Sequence, residues 1–430
     1  MMRSLFSGVS GLKNHQTRMD VIGNNISNVN TTGFKSSRVN FTDMLSQTLS
    51  GASTPQDTIG GTNPKQIGLG SSVGAIDMIF TNGSVQSTGL NTDLALSSTN
   101  ALFILDRSGS GNLVYTRNGD FQFDANGNYV QAGNGYFVQG WMAENGKIDT
   151  GKDVGVITIP SGKQMEAKLT TKVNFSNNLD AATPVGSQTV VTTTVYSALG
   201  DPITLTMVAK KTAVGENNSQ WTLSDFTATT TNLAGDKVPV TCNGTAQTLN
   251  FDGNGKLTSP TGDVANVVQL EYATTTGAAQ TQNIAMNFEA LTQYTTGTGS
   301  TVSATRADGN ASGVLQSISI DKTGTITGTY TNGEKQAEAQ VALMRFNNPG
   351  GLNKVGDSLY EDSNNAGRDE SPKTATALGA TITPAALEMS NVDVANEFTD
   401  MIITQRGFQG NSKIITVSDE MLETLISMKR

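Results

Sequence analysis

Histidine and cysteine occur once each in this chain of 430 residues, as His15 and Cys242. That scarcity removes most site chemistry at once. One cysteine excludes a disulfide framework within the chain and any multi-cysteine zinc site. One histidine excludes a two-histidine metal site, and a Ser-His-Asp or Cys-His centre would have to run through His15. His15 falls on the apolar stripe of a helical pattern, where a packed or interfacial imidazole is expected rather than a general base. The run Asp124-Ala125-Asn126-Gly127-Asn128 has the opening of a calcium loop. Its sixth position lacks glycine, and Gly135 stands where the bidentate glutamate belongs, so no calcium site is expected. No carboxylate cluster suggests acid–base work. The expectation is a chain with no catalytic residue, no metal and no cofactor, and not an enzyme.

Asp124 has a structural reading instead. The unit apolar-Asp-x-x-Gly-x-apolar recurs at Phe123–Tyr129, Phe251–Leu257 and Ile320–Ile326. Aspartate accepts hydrogen bonds from its own turn, and glycine takes the positive φ. Each copy therefore reads as a tight hairpin between two strands. Asn118-Gly119, Asn134-Gly135 and Asn332-Gly333 add further turns. With 46 Gly, 15% charged and 6% aromatic residues, the Thr/Ser/Asn-rich middle favours many short strands over large cores. A net charge of −9 without a basic cluster argues against a nucleic-acid partner.

The elements that must hold this β-rich middle are the two ends. Leu5, Leu12, Met19 and Ile26 recur every seven residues, with Gly8, His15, Ile22 and Val29 three positions after each. Val394, Met401, Phe408, Ile415 and Leu422 repeat the pattern at the other end. A seven-residue apolar repeat underwinds helices into a left-handed coiled coil. The ends can pair only if the middle folds back. The expected fold class is mainly β with a terminal α-helical coiled-coil stalk, and nested β-domains inserted between the helices. The ends are also opposite in charge. Arg3, Lys13, Arg18, Lys35 and Arg38 stand against Asp20, whereas Glu388, Asp393, Glu397, Asp400, Asp419, Glu420 and Glu423 stand against Arg406 and Lys413.

The first helix should start near Ser4 and stop before Gly33, because Asn, Ser, Thr and Gly compete for backbone groups. Phe34 should anchor the chain beyond it. A short helical turn is expected over Asn40 to Ser46, and an extended linker from Gln47 to Ser72. A second linker runs from about residue 350 to 378 by its Gly/Asn/Ser content, and the terminal helix begins near Ser390 to Asp393. The resulting layout is a terminal helical domain of residues 1–33 and 390–430 and an extended linker region of 34–72 and 367–389. Inside them come an inner β-domain of 73–145 and 298–366 and an outer inserted β-domain of 146–297. Nothing resembles a cleaved signal peptide, and no apolar run reaches the ~18 residues of a membrane span. An extracellular chain, exported without a cleaved signal and without membrane insertion, is expected.

These residues resemble the axial proteins of the bacterial flagellum, the rod–hook family, and its hook members most. The matching runs are Asp20-Val21-Ile22-Gly23-Asn24-Asn25-Ile26-Ser27-Asn28, Thr32-Gly33-Phe34-Lys35, Phe80-Thr81-Asn82-Gly83, Leu94-Ala95-Leu96 and Tyr115-Thr116-Arg117-Asn118-Gly119-Asp120-Phe121. Near the end, Leu387-Glu388-Met389-Ser390-Asn391-Val392-Asp393 and Met401-Ile402-Ile403-Thr404-Gln405-Arg406-Gly407-Phe408 match as well. Asn24, Asn25, Asn28, Gly33 and Phe34 form the family signature. Asn100-Ala101-Leu102-Phe103 departs from the family's Gly-x-Gly-Phe-Phe-like strand, and residues 146–297 match only in length and character.

The resemblance implies a structural subunit of a curved, flexible tube that carries torque from motor and rod to filament, a universal joint. It implies a helical homopolymer joined through Leu5, Leu12, Met19, Ile22, Ile26, Val394, Met401, Phe408, Ile415 and Leu422. It also implies as partners the distal rod protein, the hook cap, the hook–filament junction protein and the flagellar type III export apparatus. Rod proteins share the terminal motifs but are usually shorter, so the inserted β-domain points to hook over distal rod or hook-associated protein. A secreted β-rich adhesin would share the composition without needing paired heptads. Some relatives cross-link adjacent subunits through a Cys and a Lys. Cys242 is the thiol available for an inter-subunit cross-link here, though its local sequence reads as a small strand residue.

Overall fold

The computed structural model describes residues 2–428 apart from 56–59, 110, 216–217, 232–236, 261–266, 274–278 and 298. Helix α1 (Met2–Ser27) and helix α2 (Val394–Ser427) occupy the two ends, and strands and turns make up nearly all the rest. Helix α1 stops in the Asn-rich run. There Asn28 donates both its backbone N–H (3.2 Å) and its side-chain amide (2.8 Å) to Asn24 O. Helix α2 starts at Asp393, whose carboxylate caps the N–H groups of Ala395 (2.9 Å) and Asn396 (3.3 Å). No helix among the described residues is long and apolar enough to cross a membrane.

The chain divides into two compact units. The first comprises Met1–Ser161, Ile318–Gly328 and Gln336–Arg430, and the second Gly162–Ser317 and Thr329–Lys335. In the first unit, strands Lys335–Val341, Phe137–Glu144, Ala101–Asp106, Leu113–Thr116, Leu359–Glu361 and Asn353–Gly356 lie side by side in that order. Leu102, Ile104, Tyr115, Trp141, Met344, Phe346 and Tyr360 form its core, with Tyr115 and Phe346 edge to face at 4.8 Å. In the second unit the order is Gln188–Tyr196, Pro202–Val214, Asn218–Thr231, Lys237–Gly244, Val267–Ala273, Ala279–Thr292, Lys172–Asn178 and Ser303–Ala307. Alternating Val, Leu, Ile and Met point inward around Trp221, and Thr points outward, as period-two burial requires.

All three Asp-x-x-Gly units are hairpin turns of one design. Asp124, Asp252 and Asp321 each accept two turn N–H groups through Oδ1, at 2.7–2.9 Å. The glycines of these turns, Gly127, Gly255 and Gly324, sit at φ of 84°, 78° and 79°. Each glycine carbonyl is then docked by a backbone N–H from elsewhere in its own unit: Ile159 (2.7 Å), Gln293 (2.8 Å) and Val341 (3.0 Å). The Asp124 carboxylate is thus occupied by its own turn.

Four expectations need correction. Asn40 to Ser46 is not helical: Ser37–Asp43 is a strand paired with Ser71–Met78. The expected linker from Gln47 to Ser72 is not plain either: Ser46–Ser50 pairs with Lys65–Gly68. Their polar composition had hidden a ladder with no buried face to give it period-two hydrophobicity. The region from 350 to 389 also contributes strands. Asn353–Gly356 and Leu359–Glu361 join the first sheet, while Ile382–Pro384 and Ala386–Glu388 pair with Leu94–Leu96 and Val85–Ser87. Finally, the division between units falls at 162 and 317 rather than 146 and 297. Lys147–Ile148 still pairs with Phe137–Glu144, and Ser303–Ala307 pairs with Lys172–Asn178.

Candidate functional site

The helices α1 and α2 lie antiparallel within the first unit, in a register marked by successive pairs. Gly8 meets Ile415, Gly11 meets Asn411 and His15 meets Gly407. Arg18 pairs with Asp400 at 3.0 Å, and Asn25 Nδ2 donates to Glu397 Oε1 at 3.0 Å. Burial lifts the Glu397 carboxyl, and the Asn25 bond opposes that shift. Ile22 is buried at 4% exposure, but the residues buried on α2 are Thr404 and Ser418. The seam is therefore built from small and polar side chains that let two backbones approach closely. Leu5, Leu12, Met19 and Ile26 are half-buried, as are Met401, Ile415 and Leu422, and Ile415 packs over Gly8 in the seam. Val394 and Phe408 are exposed at 36% and 42%. The seven-residue line of α2 thus enters the contact at Ile415 and stands open at Val394 and Phe408.

A second apolar line runs along α2. Ile403, Ile414, Val417, Met421 and Met428 are separated by three, four, seven or eleven residues, and all are exposed, from 38% to 75%. Phe398, Ile402, Leu425 and Ile426 elsewhere on α2 are exposed as well, at 46% or more. On α1, Phe6 and Val9 are exposed at 67% and 51%. The hairpin beside the helices is equally open, with Leu45 85%, Leu49 58% and Ile67 42% exposed.

Below the stalk, the chain's two ends are tied by a buried ion cluster. Glu388 Oε1 accepts from Lys35 Nζ at 2.7 Å, and Oε2 lies 2.7 Å from Arg117 Nη2 and accepts from Nε at 2.9 Å. All three side chains are almost wholly buried. Two cations against one carboxylate leave an excess of donors, and main-chain carbonyls absorb it. Lys35 also donates to Thr81 O (2.7 Å), and Arg117 to Ser98 O, to Ala101 O (2.8 Å), to Leu96 O (3.2 Å) and to Asn82 Oδ1 (3.0 Å). Burial lowers the Lys35 ammonium from its ordinary range and Arg117 pushes it further, while Glu388 opposes both.

The signature residues surround this cluster. Asn25 Oδ1 accepts from Ser37 N (3.0 Å) and its amide donates to Ser37 O (2.8 Å), a two-way clamp on the strand. Asn391 does the same work from α2's side, accepting from Ser36 N (2.8 Å) and donating to Ile79 O (2.7 Å). Gly33, at φ +68°, donates to Glu388 O at 2.8 Å, and a Cβ there would lie 2.6 Å from Asn118 N. Phe34 is buried under the Lys354 ammonium, 3.9 Å from the ring centroid. Asn28 caps α1, and Asn24 lends its carbonyl to that cap.

Lys35, Arg117, Glu388 and Asn391 stood inside the matching motifs, but nothing in one dimension assigned them to a shared site. Cys242 is half-buried in strand Lys237–Gly244 opposite Leu270, and burial pushes its thiol up. Among the described residues, no group of His, Cys, Asp and Glu comes together in a way that could hold a metal ion.

Four segments match known families. Residues 5–35 match "Flagella basal body rod protein" and 383–428 "Flagellar basal body rod FlgEFG protein C-terminal". Residues 100–178 match "Flagellar hook protein FlgE/F/G D1 domain" and 166–310 "Flagellar basal body protein FlaE D2 domain". Flagellar hook protein FlgE of Borreliella burgdorferi is 40% identical over 460 residues, covering 100% of both chains. The chain belongs to the flagellar hook protein family. Flagellar hook protein FlgE of Treponema pallidum is 39% identical over 468 residues, again across 100% of both chains. The hook family is a structural one, so its site is the set of surfaces just described. Flagellar basal-body rod protein FlgG of Bacillus subtilis is also similar, 31% identical across 100% of both chains. Length by itself therefore does not separate hook from rod.

Proposed function

We propose that this hook-family chain joins copies of itself head to tail into the curved, flexible tube of the flagellar hook and carries torque from rod to filament. The observation that supports this most is the second apolar line of α2. A helix already paired on one side keeps Ile403, Ile414, Val417, Met421 and Met428 in water at heptad spacing. That spacing suits packing against another helix, and the occupant we assign is the stalk of a neighbouring copy. Contacts of this head-to-tail kind do not close, and so they generate a helical polymer. The open hairpin at Leu45, Leu49 and Ile67 offers a second apolar contact. Polar, Thr-rich faces on the second unit allow neighbours to slide as the tube bends, where a large apolar interface would hold them fixed.

The role is mechanical rather than catalytic. The resemblance adds the distal rod protein, hook cap and hook–filament junction protein as neighbours, and type III export to the cell exterior as the route. The rod-named relative supports a second reading, a distal rod subunit. Electron microscopy of polymer from the wild-type chain and from a Val417→Lys/Met421→Lys variant tests the proposal. Curved tubes are expected from the first and none from the second. Tubes from both would overturn the helical interface. Antibody labelling of intact flagella then separates hook from rod by position.

A further inference from the structure

Asparagine followed by glycine occurs eight times in this chain, at Asn82, Asn118, Asn126, Asn134, Asn145, Asn243, Asn254 and Asn332. With no Cβ to hinder it, a glycine nitrogen can approach the side-chain carbonyl carbon of the asparagine before it. The fold opposes this approach at most of the eight. Gly127, Gly255 and Gly333 donate their N–H groups to Asp124 O (3.0 Å), Asp252 O (3.0 Å) and Tyr330 O (2.9 Å), and Gly135 donates to Gln131 O (2.8 Å). Gly83 donates to the Glu388 carboxylate at 3.0 Å. Asn118 Oδ1 accepts from the Thr32 hydroxyl (3.0 Å) and from Asp120 N (3.2 Å). Asn243 and Gly244 are drawn out in a strand, opposite Gln269 and Val268.

Asn145 and Gly146 differ. They form the tight turn between strands Phe137–Glu144 and Lys147–Ile148, closed by the pairing of Glu144 with Lys147. Their φ angles of 53° and 77° are both positive, as such a turn requires. Asn145 is exposed. Among the described residues, neither its amide nor the Gly146 N–H has a hydrogen-bond partner.

We propose that Asn145 is a self-modification site, where the turn converts asparagine into a mixture of isoaspartate and aspartate without an enzyme. Gly146 N attacks Asn145 Cγ. The new C–N bond displaces the side-chain amino group, which leaves as ammonia and takes the proton of the Gly146 N–H with it. Solvent water then opens the cyclic imide at either carbonyl. Opening at the side-chain carbonyl restores the main chain as aspartate. Opening at the main-chain carbonyl gives isoaspartate. Water is the one co-reactant, and nothing is oxidised or reduced.

The two products act differently on the turn. Both add a negative charge beside Glu144, which holds Lys152 at 2.6 Å. Isoaspartate also lengthens the main chain by a methylene, and a tight hairpin fixes its register by loop length. The Glu144–Lys147 pairing is therefore lost in the isoaspartate form and kept in the aspartate form.

The test uses the full-length protein, aged at neutral pH and digested at mildly acidic pH, where the attack stalls. Each Asn-Gly peptide is followed by mass spectrometry, with isoaspartate read by enzymatic methylation. A hydrogen bond that must open first slows attack roughly fivefold. Asn145 should therefore convert at least about fivefold faster than Asn126, Asn134, Asn254 and Asn332. In urea, which unfolds the turns, the five rates should converge. Asn145→Gln should remove the leading product and leave the other four sites unchanged. A native Asn145 no faster than those four would overturn the proposal. So would a lead that persists undiminished in urea, which would belong to the local sequence, or a product that is aspartate alone, which bypasses the imide.

Discussion

The second unit and the helical stalk solve the problem of apolar surface in opposite ways. The second unit encloses Trp221, Phe175, Phe251, Met207 and Leu205 at 1% exposure or less, and its alternating strands leave Thr outside. Its two stacked rings, Phe175 and Phe288, stand 5.1 Å apart inside that core. The stalk buries Ile22 and little else that is apolar, while α2 leaves large side chains in water along most of its length. Burial contributes about 25 cal/mol per Å² of apolar surface, so the β-unit is energetically complete and the stalk is not. A helix pair in that condition gains stability only when something covers it. The difference separates the part that folds for itself from the part that folds for assembly.

The largest effect should come from the ion cluster that ties the chain's two ends inside the first unit. Removing Glu388 strands two buried cations, and breaking such a cluster costs about 3–5 kcal/mol. Glu388→Ala should lower the first unit's unfolding transition by that amount in urea titration and leave the second unit's transition in place. A single shift shared by both units would show that the two do not unfold separately.

Trp221→Ala tests the same separation from the other side. Loss of a fully buried ring costs about 3–5 kcal/mol, and here it should fall on the second unit alone. Sedimentation should show that assembly survives wherever that unit remains folded. Deleting residues 390–428 should do the reverse, giving a folded, β-rich chain that never sediments.

Smaller effects belong to the seam. Gly407→Ala places a methyl 2.5 Å from His15, and overpacking of this kind costs about 1–3 kcal/mol. Helicity should fall while both β-transitions hold. Phe408 is 42% exposed in the single chain, so Phe408→Ala should cost the subunit only about 1 kcal/mol. Its main effect should appear as a raised critical concentration for polymer. A destabilised subunit that polymerises normally would place the ring in an intramolecular core.

Much of this architecture was legible without coordinates because it is local. Seven-residue spacing over Leu5 to Ile26 and Val394 to Leu422 specifies helices, and Asp followed by Gly three residues later specifies the hairpins at Asp124, Asp252 and Asp321. The pairing of Ser37–Asp43 with Ser71–Met78 is not legible in the sequence, for a physical reason. Its strands bury no face, so they carry no alternation, and their Gly/Ser/Thr content resembles that of a loop.

Which face of each helix does what was decided by tertiary structure alone. Both a small-residue line and an apolar line run along α2, and periodicity cannot say which of them meets α1. Close approach of the backbones chose the line through Thr404, Gly407 and Asn411 and left Ile403, Val417 and Met421 outside. The same holds for the ion cluster. Lys35 and Glu388 are separated by 353 positions in the chain and by 2.7 Å in space. A sequence determines the turns and repeats that act over a few residues. Desolvating a charge beside its partner requires the whole fold to bring them together.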